Sequence, residues 1–302
     1  MNKNYFFAHI AKLFIFNEHF KEIYSKTFNN IEEYKNHASL LKDLEKKYGK
    51  LEPLPPENLP AVLSSLKDPS NFPIFFERNL LLTKQSLKES VTDDVHIIQT
   101  VYTMEDMEKI LNTLSKRLRE HYELYDADFS HGISDHEKFA ELAIGRIDRL
   151  QVIPKAHAPP IHALARDVLS LYHLKQQQEL YLESLMKKLC PNMTSLTGVL
   201  LGAKLLKLAG SLKKLATFPA STIQLLGAEK ALFRHIRNKK NLPPKYGLLH
   251  EHPLLTQSDK KEHGRIARLL ANKISIAAKV DYFKGKFIGD ELKKEIERHM
   301  AK

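Results

Sequence analysis

Along these 302 residues the spacing of apolar positions changes near residue 97, and a proline at residue 191 marks a further boundary. Up to about residue 90, short apolar runs alternate with turn residues. Tyr5 to Phe16 is rich in aromatic and aliphatic side chains, Asn17-Glu18 offers a turn, and Phe20 to Tyr24 reads as a returning strand. Ile31 to Tyr48 reads as a well-charged helix. Leu51-Glu-Pro-Leu-Pro-Pro56 ends it, since proline cannot donate to a ladder or continue a helix. A short helix over Pro60 to Leu66 and a strand around Phe72 to Phe76 complete a mixed α/β region.

From Ile97 the period becomes helical. Met104, Met107, Leu111, Leu114, Leu118 and Tyr125 follow alternating steps of three and four, with His121 in the one missing seam position. Ile161, Leu164, Val168, Leu171, Leu182, Leu185 and Leu189 repeat the spacing, although Lys175 and Gln178 fall on the seam and Leu174 suggests a drift of phase. Between the two lies an irregular or short-helical segment, Asp126 to Pro160. The simplest arrangement is an antiparallel coiled-coil arm, and a helical bundle core would give the same periodicity. After Pro191 the chain reads as helical throughout: Thr194 to Ala216, Gly227 to Arg237, Lys261 to Ala278 and Gly289 to Met300.

Charge separates the last part from the rest. Residues 191–302 hold 22 Lys+Arg against 9 Asp+Glu, whereas residues 1–190 hold 25 against 27. One end of the chain therefore carries the positive excess, which points to a polyanionic partner there or to a basic solubilising surface. No run of eighteen apolar residues occurs, so a membrane partner is not expected. The start of the chain lacks the apolar core of a secretory signal, and the single cysteine, Cys190, cannot pair within the chain. A reduced intracellular location is the expectation.

If Gly227 opens a helix, Lys230, Arg234 and Arg237 fall within roughly 60° of one another at about 100° per residue. Ala228, Leu232 and Ile236 lie opposite, where they are expected to pack on the core, and Phe233 flanks the basic stripe. Arg265, Arg268 and Asn272 form a similar group on the next helix, and Pro243-Pro244 and Gly247 shape a stiff turn between the two. Guanidinium forks suit phosphate oxygens and guanine edges. Any one of these residues reads most simply as a solvated helix face. Two such stripes in a strongly basic region favour RNA or DNA binding.

Catalytic patterns are missing. His131/His136, His157/His162 and His250/His252 lack the helical i, i+4 spacing with an acidic third ligand that a zinc hydrolase uses. Cys190 precedes a proline at a helix end and reads as a buried filler. Gly198 and Gly202 lie in an apolar helical run with no preceding strand, so no glycine-rich nucleotide loop is present.

The blocks Pro191-Asn-Met-Thr-Ser-Leu-Thr-Gly198, Leu208-Ala-Gly-Ser-Leu212, Pro219 to Arg237, Pro243 to Gly247 and Gly264 to Asp281 closely resemble the Nop domain, which defines the scaffold proteins of box C/D guide-RNA methylation particles. Upstream, Asn79-Leu-Leu-Leu-Thr-Lys84, Ile97-Ile-Gln-Thr-Val101 and Leu114-Ser-Lys-Arg-Leu-Arg-Glu120 look like the start of that family's coiled-coil region, and Leu169-Ser-Leu-Tyr172 like its returning helix. The resemblance covers about residues 79–285.

It implies a mainly α protein in three parts: a small α/β fibrillarin-binding domain over 1–92, a coiled-coil dimerisation arm over 93–190, and an all-helical Nop domain over 191–302. The last would bind a kink-turn in the guide RNA together with a small ribosomal-protein-like partner. By motif match Gln224, Lys230, Arg234, Arg265 and Arg268 would face RNA, with Arg237 on the same stripe. Gly227 and Ala228 would allow close backbone approach, and Glu229 would favour the helix start or accept from base amino groups. Met107, Leu111, Leu114, Leu118, Val168, Leu171, Leu182 and Leu185 would serve the pairing of two copies. No cofactor is expected in this chain, S-adenosylmethionine belonging to fibrillarin.

The first 75 residues and the segment 126–160 depart from the family pattern. The lysine-rich tail of nucleolar members is also missing, which favours the compact archaeal-type scaffold, cytoplasmic in that setting and nucleolar in a eukaryote. Two alternatives stay open: a spliceosomal-type Nop factor without a methyltransferase, and an unrelated RNA-modifying enzyme.

Overall fold

The computed structural model describes residues 3–66, 72–150 and 153–300. It divides into two compact units, residues 1–91 and 92–302.

In the first unit β1 (Asn4–Ala8), β2 (Lys12–Phe16), β3 (Glu22–Thr27) and β4 (Leu51–Pro53) form one sheet in the order β3-β2-β1-β4. β1 and β2 pair antiparallel with Tyr5 opposite Phe16 and Ala8 opposite Leu13, and β4 joins β1 in parallel. Leu13, Phe14, Ile15 and Phe16 are all buried, so β2 is covered on both faces. Phe14, Phe16 and Val62 form a cluster with Leu54 and Leu59 around it. Helix α1 (Ile31–Lys35) starts on Asn30, whose side chain accepts from the Glu33 amide at 2.8 Å. Asn36 then divides the helix expected over 31–48, and α2 (His37–Tyr48) follows.

After α3 (Leu59–Leu66), the strand expected around Phe72 to Phe76 is instead the first turn of α4 (Phe72–Glu89). A short apolar run has no period of its own. In α4 it continues into Arg78, whose guanidinium donates to the carbonyls of Ile10 at 3.1 Å and Phe28 at 2.5 Å, holding the helix against the strand ends.

The second unit is helical. α5 (Asp93–Glu123) and α8 (Ala158–Leu189) run side by side in opposite directions, as the ion pairs Asp93–Lys188 at 2.8 Å and Glu108–Lys175 at 3.0 Å show. Lys175 interrupts the apolar spacing because it meets Glu108 across the seam. Ile97, Val101, Met104, Met107, Leu111 and Leu118 are buried along α5.

Beyond Leu111 the expected heptad loses phase. His121 is exposed, Leu114 and Tyr125 are half-buried, and Ser115 and Tyr122 are buried instead. A straight helix advances by 3.6 residues per turn, so a seven-residue pattern drifts off its partner. Tyr122 meets Phe129 of α6 (Ala127–Gly132) and Phe139 of α7 (His136–Leu150), with ring centroids 5.1 and 5.6 Å away. The segment 126–160 thus supplies helices that thicken the arm, although residues 151 and 152 within it lie outside the described residues.

The remaining helices are α9 (Pro191–Thr197), α10 (Val199–Ala209), α11 (Leu212–Thr217), α12 (Ala220–Leu225), α13 (Glu229–Arg237), α14 (Pro253–Thr256), α15 (His263–Tyr282) and α16 (Gly289–Met300). The single helix expected over 194–216 is three, because Gly198 and Gly210 take φ of 74° and 83°, where a side chain is strained. One hydrophobic core runs from the arm base (Ile97, Val101, Leu182, Met186) to α10, α15 and α16 without a break. Arm base and C-terminal helices therefore pack as one body.

Two buried carboxylates reinforce that body. Asp281 accepts from the Asn192 amide at 3.1 Å, the Asn192 side chain at 2.7 Å and the Met193 amide at 2.9 Å, so α15 caps the start of α9. Asp94 accepts from the Leu212 amide at 3.1 Å and caps α11 in the same way. Asp281→Ala leaves three buried donors without partners and is expected to cost roughly 3–5 kcal/mol in denaturant unfolding. A loss below about 1 kcal/mol would mean water replaces the carboxylate there.

Candidate nucleic-acid interface

Helices α12 and α15 form the walls of an open groove. Ile223 of α12 is buried, as are Ile266, Ala267, Leu270 and Ile274 of α15, and their packing turns the opposite faces outward. Between those faces lies a pocket of about 560 Å³ lined by Ser221, Gln224, Arg265, Arg268 and Asn272, with Gly264 at one end. The steps of three and four from Arg265 to Asn272 set these side chains on one stripe, as the sequence predicts.

The two arginines differ. Arg265 is held by Glu262 at 2.7 Å and donates to the His299 carbonyl at 3.3 Å, so its charge is partly answered within the chain. Arg268 is exposed and makes no hydrogen bond or ion pair among the described residues. A planar guanidinium with its donors free, beside a half-immobilised one and two side-chain amides, is suited to phosphate oxygens and base edges.

The second stripe stands outside this groove. Lys230, Arg234 and Arg237 are exposed along α13 and meet no carboxylate among the described residues. The expectation that Ala228, Leu232 and Ile236 pack on the core is not met. Ala228 and Leu232 are only half-buried, Ile236 is 55% exposed and Phe233 66% exposed. The apolar face of α13 therefore stays largely open to solvent, as its charged face does. Gly227 has φ of 89°, and Glu229 turns back so that its carboxylate accepts from the Gly227 amide at 2.7 Å. Glu229 thus stabilises the entry to α13.

Gln224, expected to face RNA, lines the groove but donates its side-chain amide to the Lys245 carbonyl at 2.7 Å. The sequence carries no sign of that bond, nor of the contact between the Tyr246 hydroxyl and His263 Nδ1 at 2.9 Å. Gly247 was legible as a turn residue. A Cβ there would lie 2.1 Å from the Leu226 carbonyl oxygen, so no side chain fits.

The seam residues of the arm are occupied within the single chain. Met107, Leu111, Leu118, Val168, Leu182 and Leu185 are buried, and Leu114 and Leu171 half-buried, against the chain's own helices. Six of the eight are thus filled by the chain's own packing, and Leu114 and Leu171 keep part of their surface open. The exposed apolar residues of the arm are others, Ile110, Leu174 and Leu180 among them.

No group of three or more His, Cys, Asp or Glu among the described residues is placed to hold a metal ion. His252 is buried, with Nε2 donating to the Leu196 carbonyl at 2.9 Å and Nδ1 accepting from the Leu254 amide at 3.1 Å. Burial holds its pKa below the ordinary histidine value. Cys190 is fully buried, and that burial pushes its thiol far above the usual range, away from nucleophilic use.

Residues 146–302, which include the groove and α13, match the Nop family, described as "snoRNA binding domain, fibrillarin". An uncharacterized NOP5 family protein of Methanocaldococcus jannaschii is 39% identical over 248 residues, covering 72% of this chain and 59% of that protein. Nucleolar protein 58 of Candida glabrata is 34% identical over 254 residues, covering 74% of this chain and 49% of its own. The chain thus spans about half the length of the curated relatives it matches. A chain of the crystal structure of a fibrillarin/NOP5P complex aligns with a TM-score of 0.48 and 24% identity over 94% of this chain and 95% of its own.

The unequal pairing of the two groove arginines gives a quantitative expectation. Arg268→Ala should flatten the plot of log affinity against log salt for RNA by about 0.7–0.9, one phosphate contact's worth, and Arg265→Ala by less. Equal slopes for wild type and Arg268→Ala would remove this groove from the interface.

Proposed function

We propose that this chain, which belongs to the Nop family, is a non-catalytic scaffold of a box C/D ribonucleoprotein that carries out guide-directed RNA 2′-O-methylation. One observation carries the reading: within the segment matching the snoRNA-binding family, Arg268 stands unpaired in a groove shared with Arg265 and Gln224. The helical end would hold the kink-turn of a box C/D guide RNA together with its small ribosomal-protein-like partner. Affinity would come from phosphate contacts of the groove and of Lys230, Arg234 and Arg237.

The N-terminal α/β unit would dock fibrillarin, which brings S-adenosylmethionine and the chemistry. The arm would join two copies and set the distance between two RNA-bound ends. No helix among the described residues is long and apolar enough to cross a membrane. An archaeal-type scaffold of this kind would work in the cytoplasm and a eukaryotic one in the nucleolus.

Reconstitution with a box C/D RNA, the kink-turn protein and fibrillarin tests the reading directly. Methylation of the paired target nucleotide should need every component, and omission of this chain should abolish it. Methyl transfer by the lone chain with added cofactor would favour an RNA-modifying enzyme. An RNA complex that forms but recruits no fibrillarin would favour the spliceosomal-type factor.

Self-pairing has its own test. Because the seam is internal, Leu174→Asp or Ile110→Asp should shift sedimentation towards the monomer while leaving thermal stability within about 0.5 kcal/mol, as for a surface site. Leu118→Ala should instead destabilise the chain by about 3 kcal/mol. Association unchanged in both charged variants would place the pairing surface elsewhere.

A further inference from the structure

Residues 227–246 form a lobe that leaves the helical core after Leu226 and rejoins it at Gly247. Departure and return are bonded to each other: the Gly247 amide donates to the Gln224 carbonyl at 2.8 Å, and the Leu248 amide to the Leu226 carbonyl at 2.7 Å. Between these points the chain carries Lys230, Arg234, Arg237, Lys239, Lys240 and Lys245 against one acid, Glu229. Helix α13 in this lobe buries no residue. With no core of its own, the lobe takes its direction chiefly from its neck.

Two side-chain bonds close that neck. Gln224 donates from Nε2 to the Lys245 carbonyl at 2.7 Å. Tyr246 reaches His263 at the start of α15, with the hydroxyl 2.9 Å from Nδ1 and ring centroids 5.5 Å apart. The other ring nitrogen, Nε2, lies 3.0 Å from the Ser258 carbonyl, which can only accept. In the neutral ring Nε2 therefore carries the hydrogen, and Nδ1 accepts from the tyrosine hydroxyl. Both bonds sit at the rim of the groove: Gln224 lines it, and His263 immediately precedes groove-lining Gly264.

We propose that Gln224, Tyr246 and His263 are positioning residues, a clasp that fixes the basic lobe relative to the α12–α15 groove so that one RNA meets both. The proposal rests on the RNA-binding reading above and deepens it, since it moves Gln224 from RNA contact to alignment. The clasp lowers the cost of binding by ordering the lobe beforehand. It contributes no charge, so its loss should weaken binding equally at every salt concentration.

Gln224→Ala and Tyr246→Phe in the full chain test this, the second keeping the ring and removing only the hydroxyl. Amide exchange at Gly247 and Leu248 is followed without RNA, and affinity is measured for a box C/D kink-turn RNA loaded with its small protein. Each variant should speed exchange at both amides and weaken binding about tenfold with the salt slope unchanged. The double variant should lose less than the product of the two, because both open one neck.

Weaker binding by Gln224→Ala with unchanged exchange would return that residue to direct RNA contact and overturn the proposal. Faster exchange with full affinity would show the clasp to be idle and overturn it as well. If the wild-type chain binds no such RNA, the functional reading falls separately, and the exchange result alone decides whether the neck is held as described.

Discussion

On the core-facing side of the C-terminal helices, cations are answered: Lys204 meets Glu251 and Lys207 meets Glu105, at 2.7 and 2.5 Å, and Lys273 meets Glu295. Arg268, Lys230, Arg234 and Arg237 on the outward faces meet no such partner among the described residues. Like charges held on one body repel each other, and the repulsion is relieved when a polyanion takes the place of their counterions. This arrangement gives the proposed RNA partner a physical basis beside the family match, and the proposal assigns the groove and the lobe to one ligand.

A charged face can select a folded RNA only if it keeps its shape. The core beneath it is continuous from the arm base to α16, and the caps that Asp281 and Asp94 provide tie α9 and α11 to distant helices. Because the same core takes in Ile97, Val101 and Leu182, the arm leaves the C-terminal helical body at a fixed angle. The proposed scaffold, holding two RNA-bound ends at a set distance, would need that stiffness. Packing supplies it.

Much of this was legible in the residues themselves, and the gaps have physical causes. Gly289 to Met300 is a helix with the limits its sequence sets, and the grouping of Arg265, Arg268 and Asn272 survives intact. The run Phe72 to Phe76 misleads because five apolar residues fit a strand or a helix turn equally well, and Arg78 decides between them through contacts far away in sequence. Tyr122 replaced His121 in the seam because aromatic partners on α6 and α7 reward a straight helix over a supercoiled one. The bond from Gln224 to a backbone carbonyl 21 residues on leaves no trace in composition or periodicity. The partners of the seam residues could not be read either, since the same apolar spacing serves an internal pair of helices and a pair of chains.

The most direct measurement compares the full chain's affinity for two ligands of equal charge: a box C/D kink-turn RNA capped by its small protein, and the same RNA with the kink replaced by a straight duplex. A surface built to hold a bent RNA should bind the kinked complex at least about tenfold more tightly at moderate salt, a difference of about 1.4 kcal/mol. Equal affinity for both would show that the positive face attracts any polyanion, and would contradict the account.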